Sequence, residues 1–200
     1  MAADAGRPSC LLCIAFGPAR LHSALSAENP VQVLTANECS AWLRQRAIIE
    51  SPYANNRSKM SLQFEPPRSP RRLTAFTRQL FEAFGDFPGA LVQFTDWNTH
   101  NPDEMALFDS LRRSHGEQRT IIEAPGHLFA STEAAEALGH CYLVATFDWS
   151  AYLYLASGAA TVYFWEGDLV DLWSCDESIH QKVWEAVKTY ELRVTFKIAA

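Results

Sequence analysis

Residues 139–174 read GHCYLVATFDWSAYLYLASGAATVYFWEGDLVDLWS, and the fold turns on this stretch. It holds nine aromatic residues, Tyr142, Phe147, Trp149, Tyr152, Tyr154, Tyr163, Phe164, Trp165 and Trp173, and no Lys or Arg. Aromatic and β-branched residues suit the pleated, half-buried surface of a strand. Polar breaks cut the run at Asp148-Trp149-Ser150, Ser157-Gly158 and Glu166-Gly167-Asp168. Such breaks supply the positive φ angles and side-chain-to-backbone bonds of tight hairpins. The pattern predicts four strands, over residues 141–147, 151–156, 160–165 and 169–173. Strands joined by so few residues must run antiparallel, because a parallel pair needs a long crossover.

Side chains alternate across a strand. Val162 and Phe164 therefore share one face of the third strand, and Tyr163 and Trp165 the other. In the second strand, Leu153 and Leu155 oppose Tyr152 and Tyr154. One face is expected to pack on helices. The other carries aromatic side chains with polar tips, which tolerate water or a partner. Trp149, Trp165, Glu166, Asp168, Asp171 and Trp173 are the candidate binding residues of this aromatic, carboxylate-rimmed surface. A sheet buried on both faces accounts for the same residues without a ligand.

The 200-residue chain is long enough for one well-buried core, and 48% hydrophobic with 20% charged residues places it among globular proteins. No apolar run approaches the ~20 residues of a membrane helix, so no membrane partner is expected. Residues 1–119 are near charge balance, with 13 Lys/Arg against 12 Asp/Glu. Residues 120–181 carry nine carboxylates and no Lys or Arg. A block of one sign argues against nucleic acid, whose phosphates need cations. It favours a basic protein partner through electrostatic steering. Scattered carboxylates also serve simply to keep an aromatic-rich chain in solution. The sequence assigns no oligomeric state.

Five cysteines, Cys10, Cys13, Cys39, Cys141 and Cys175, are odd in number and repeat no spacing. They read as free thiols of a reducing compartment, the cytoplasm. Residues 10–16 are expected to form a strand rather than a signal core, since Asp4 precedes them and Gly17-Pro18-Ala19 is a poor cleavage context.

Along the chain, a short helix is expected over 19–27 and a strand over 31–34. Thr35-Ala36-Asn37-Glu38 fits a capping box and opens a helix to about residue 48. Met60, Leu62 and Phe64 alternate as in a strand. Pro66-Pro67-Arg68-Ser69-Pro70 is the best linker candidate and a possible subdivision of an otherwise single domain. Ser69 then caps a helix with Pro70 at its first position and a Leu73, Phe76, Leu80, Phe81, Phe84 stripe. A strand over 90–96, a helix opening at residue 101 and a strand over 119–123 follow. A short helix over 131–138, a helix capped by Asp176 or Ser174, and a last strand over 192–198 complete the reading. The fold class is α+β: a single domain whose mostly antiparallel sheet has a C-terminal four-stranded meander and helices packed on one face.

Motifs for chemistry are sparse. Cys10-Leu11-Leu12-Cys13 has redox spacing but neither the βαβ context nor a second pair for zinc. No two of the six histidines sit at metal-ligand spacing on one helix, and there is no phosphate loop or nucleophile elbow. No cofactor or metal is called for. The residues favour a non-enzymatic binding module with an acidic, aromatic surface, for instance an immunity-type inhibitor of a basic protein. The alternative is a small hydrolase or transferase using His127, His140 and a meander carboxylate, which requires those groups to converge in one pocket.

Overall fold

Two of the three hairpins expected in the central stretch form where the alternation places them. The computed structural model describes residues 31–53, 60–97 and 102–198. In chain order the elements are β1 Gln32–Leu34, α1 Ala36–Gln45, β2 Met60–Phe64, α2 Pro70–Ala83, β3 Ala90–Asp96, α3 Pro102–Ser114 and β4 Gly126–Phe129. They continue with α4 Ala134–Thr146, β5 Ser150–Leu155, β6 Ala160–Trp165, β7 Leu169–Ser174, α5 Glu177–Thr189 and β8 Val194–Ile198. The strands form one sheet in the order β1-β4-β3-β5-β6-β7-β2-β8, and every neighbouring pair is antiparallel. The fold is α+β. Among the described residues no helix is long and apolar enough to cross a membrane.

Cross-strand register sorts the residues into rows. Val33, His127, Val92, Leu153, Val162, Leu172, Leu62 and Lys197 make one row across all eight strands. This row belongs to the first face, where α2, α3, α4 and α5 supply Phe76, Leu80, Phe108, Val144 and Val183 to the main core. The stripe on α2 recurs every three to four residues, so one helix side buries Leu73, Phe76, Leu80 and Phe81. Each such burial contributes roughly 1.5–3 kcal/mol. The Ser69 hydroxyl accepts the Arg72 N–H to cap α2, and the Asp176 carboxylate accepts two amide N–H groups to cap α5.

α1 lies on the second face. The Thr35 box opens it in both directions: the Glu38 N–H donates to Thr35 Oγ1 at 3.3 Å and the Thr35 N–H to Glu38 Oε2 at 2.7 Å. Cys39, Trp42 and Leu43 pack there on Leu91, Tyr154 and Trp173. Burial pushes the Cys39 thiol up to about 12, so it packs as a small apolar group. The helix comes so close to the sheet that a Cβ built on Gly126 would stand 2.2 Å from Cys39 Sγ and 3.1 Å from Leu34 Cβ. Gly126→Ala is therefore expected to destabilise the protein by about 1–3 kcal/mol. Adding Cys39→Ala should recover part of that loss. A double-mutant cycle by urea denaturation checks the coupling, and additive effects would exclude the contact.

Two local expectations are corrected. Residues 141–147 are not a strand but the second half of α4 and its C-cap Phe147, in a helix that runs through Gly139 and replaces the expected helix over 131–138. Ala137, Cys141, Val144 and Ala145 are buried at helical spacing, so the apolar run lays one side on the sheet. The meander proper is β5-β6-β7, and its fourth neighbour is β2. Residues 119–123 form a turn rather than a strand: Glu123 Oε2 accepts both the N–H and the hydroxyl of Thr120. The expected strand over 10–16 and helix over 19–27 lie outside the described residues.

Candidate functional site

Two rows cross the second face. One is Leu34, Gly126, Gln93, Tyr152, Tyr163, Asp171, Gln63, Phe196; the other is Gln32, Leu128, Leu91, Tyr154, Thr161, Trp173, Ser61, Ile198. The chain after α1 is fastened over them by hydroxyl groups. Tyr154 donates to the Glu50 carbonyl, the Ser51 side chain hydrogen-bonds Tyr152, and Tyr53 donates to Asp171 Oδ2.

Asp171 is the polar centre of this face. Its other oxygen, Oδ1, accepts Gln63 Nε2–H at 2.8 Å, and Gln63 Oε1 accepts the Thr195 hydroxyl at 2.6 Å. Burial pushes the Asp171 carboxyl above its usual range, and the bonds from Tyr53 and Gln63 pull it partly back. Burial, then the Asp171 bond, holds the Tyr53 hydroxyl far above its ordinary range, so the phenol keeps its proton and donates it.

Tyr53 sits among the aromatic residues of β6 and β7. Its ring centre lies 4.7 Å from Trp173, 6.0 Å from Tyr163 and 6.2 Å from Trp165, at 84°, 84° and 80° to them. Tyr163 and Trp165 stand 5.9 Å apart at 62°, and Tyr152 stacks on Tyr163 at 4.2 Å. Edge-to-face contacts of this kind contribute ~0.5–1.5 kcal/mol beyond area burial.

Of the sequence candidates, Trp165, Asp171 and Trp173 come together on this face. Glu166 and Asp168 sit in the exposed β6–β7 turn, where Arg68 pairs with Asp168 at 2.8 Å and donates to the Gly167 carbonyl. Asp148 is beside that turn, its Oδ1 only 2.0 Å from where a Gly167 Cβ would stand. Trp149 is fully buried on the opposite side of the sheet, against Phe94, Phe108 and Phe147. The remaining carboxylates of residues 120–181 are distributed, with Glu133 and Glu136 at α4 and Asp176 and Glu177 at the start of α5.

His127 and His140 do meet, with ring centres 4.9 Å apart, but inside the helix-side core. Arg112 joins them, its Nη1 3.0 Å from His127 Nε2. Phe108 and Phe129 pack on the rings, and burial is the main cause that holds both imidazoles below their usual range, His140 at about 4. Neutral, enclosed imidazoles on one side and Asp171 on the other do not converge. Burial likewise pushes the Cys141 thiol far up, away from thiolate chemistry. Among the described residues no three or more His, Cys, Asp or Glu side chains are placed to hold a metal ion.

Sequence reasoning missed Tyr53, Gln63, Phe196 and Ile198. The signal for the last two was present: alternation along 194–198 puts them on one side of an edge strand. Nothing local announces that Gln63 faces Asp171, because their strands lie more than 100 residues apart. No protein-family model, curated protein or solved structure matches this chain.

Proposed function

We propose that the protein is a non-enzymatic binding module that docks a basic protein on its second sheet face. The observation carrying this reading is the gathering of exposed side chains. Four of the six large hydrophobic residues exposed among the described residues belong here: Tyr53 (48%), Trp165 (43%), Phe196 (51%) and Ile198 (47%). Tyr53 and Trp165 lie 6.2 Å apart and Phe196 and Ile198 alternate along β8, with the buried Trp173 and Ser61 and the half-buried Gln63 between the two pairs. Apolar side chains scattered singly need no explanation, whereas a connected set marks an interaction site. Tyr and Trp are the residues that most often dominate such interfaces. Asp148 and Glu166 at the neighbouring turn, beside the Arg68–Asp168 pair, favour a cationic partner, and an immunity-type inhibitor of a basic toxin is one concrete form. Cytoplasmic residence belongs to the same proposal, supported by Cys39, Cys141 and Cys175, which form no disulfide among the described residues.

The test is capture on the immobilised protein from an extract of the source cells, followed by surface plasmon resonance with the purified partner. The expected partner is basic and is lost on Phe196→Asp. Glu166→Lys with Asp168→Lys should slow association about tenfold at low ionic strength and flatten its salt dependence. A partner indifferent to all three substitutions, or one whose association ignores salt, would overturn the reading.

A further inference from the structure

We propose that the cavity at the C-terminal end of α1, where the Arg46 guanidinium lies over Trp42, binds a small organic monocarboxylate with an apolar body. This goes beyond the docking reading, because the cavity is at the β1–β4 end of the second face and β8 is at the other. It measures about 250 Å³, and its lining includes Gln32, Trp42, Arg46, Leu128, Phe129 and Glu133. The sequence assembles this place from near neighbours. Trp42 and Arg46 are one helical turn apart at the end of α1, and Gln32 and Leu128 are cross-strand partners. An apolar cavity of ~150 Å³ holds benzene, and drug-sized ligands take ~300–1,000 Å³. A volume between those limits suits one ring or a short branched chain carrying one polar head, with Leu128 and Phe129 against the apolar part.

Unused donors set the sign of the ligand. Arg46 Cζ stands 4.2 Å from the centre of the Trp42 ring, a cation–π contact that steadies the group. Among the described residues no carboxylate pairs with Arg46, and its guanidinium makes no hydrogen bond. Trp42 is 7% exposed, and its enclosed indole N–H has no acceptor among the described residues. Buried donors left without an acceptor are rare in folded proteins. A carboxylate answers both groups: its two oxygens match the guanidinium fork and bring further lone pairs to the ring that lies against it. Glu133 is the lining carboxylate, and its Oε2 is committed to the Ala130 N–H at 2.7 Å. Its charge disfavours a dianion such as phosphate, for which one Arg is also too little. An ammonium would meet Arg46 in the same cavity and leave the indole N–H unanswered.

The test titrates the full chain with four probes, read by Trp fluorescence and by the Trp42 indole N–H resonance. These are 3-phenylpropanoate, its neutral amide 3-phenylpropanamide, 2-phenylethylammonium, and acetate. 3-Phenylpropanoate should bind with a Kd of about 1 mM or tighter and move the Trp42 N–H resonance downfield as that group gains an acceptor. The amide and the ammonium lack the negative charge and acetate lacks the body, so each should bind at least tenfold more weakly. Arg46→Gln should weaken 3-phenylpropanoate tenfold or more and leave the amide unchanged, while Arg46→Lys, which keeps the charge without the fork, should recover only part. Arg46 is exposed, so both variants are expected to fold. Equal binding of the amide or the ammonium, or no effect of Arg46→Gln, would overturn the anion site. Acetate as tight as 3-phenylpropanoate would overturn the apolar body. No saturation by 3-phenylpropanoate up to about 10 mM would overturn the cavity as a binding site altogether.

Discussion

Acidification from pH 6.5 to about 4 is expected to remove several kcal/mol of stability, most of it through His140 and His127. Both rings are enclosed, and desolvation is the leading cause that keeps them neutral. For His127 the next causes are the positive potentials of His140, Arg112 and His115, and a bond to the Pro125 backbone opposes them. For His140 the Glu136 carbonyl opposes the shift, while His115 and Arg112 add to it. Because the folded values lie below the unfolded one, the unfolded chain takes up protons first as pH falls. Stability is therefore intact above about pH 6.5 and is lost on the way down to about pH 4. At 1.4 kcal/mol per unit, His140 alone accounts for roughly 3 kcal/mol. Glu117, which its bond with Arg119 holds at about 2, extends the loss below pH 4.5. Asp171 acts in the opposite sense, since its raised value favours the fold as protons bind. Urea midpoints measured at pH 7, 5.5 and 4.5 should fall steeply, and His140→Gln should flatten the profile even while lowering stability at pH 7. A level profile in the parent protein over that interval would refute the account.

Arg112→Ala should cost about 3–5 kcal/mol, because it leaves three backbone carbonyls without their donor at ~1–3 kcal/mol each. Arg112 is almost fully buried. Its guanidinium donates to the carbonyls of Ala124, Arg119 and Thr120 at 2.9, 3.0 and 3.1 Å, and its Nη1 is 3.0 Å from His127 Nε2. One side chain on α3 thus closes the turn that leads into β4. Truncation removes all of these bonds and leaves a cavity beside Phe108. Arg112→Lys keeps the charge but not the planar fork, so it should recover only part of the loss. Chemical denaturation gives the magnitude, and hydrogen exchange at Ile121 and Ala124 should accelerate selectively. A change below 1 kcal/mol with unchanged exchange would mean that the turn is held by its own Thr120–Glu123 bonds.

Much of the sheet was legible because hairpin strands carry their own evidence. Alternation and the Ser157-Gly158 and Glu166-Gly167-Asp168 breaks placed β5, β6 and β7 to within a residue or so. The Thr35 and Asp176 caps were legible for the same reason, since cap and helix are neighbours in sequence. Residues 141–147 were not, because a short continuous apolar run fits a buried helix as well as a strand. Gly139 suggested a stop, yet nothing lies within 4 Å of where its Cβ would be, and the helix passes through. At the candidate site, Trp165, Asp171 and Trp173 were within reach of pattern reasoning, since β6 and β7 pair locally. The burial of Trp149 on the far side, and the arrival of Tyr53 and Gln63, depend on packing between distant segments, which alternation does not report.

The position of β2 sets a schedule for the growing chain. Its two neighbours, β7 and β8, are both made more than 100 residues after it. At about 5–20 residues per second of synthesis, β2 waits roughly 5–20 s for its first partner. Throughout that interval Met60, Leu62 and Phe64 have neither ladder edge satisfied by the strands they finally join. Unpaired apolar strands recruit other chains. The nascent protein should therefore depend on a holding chaperone from the emergence of β2 until β7 leaves the ribosome, and slowing translation between residues 65 and 168 should increase aggregation rather than relieve it.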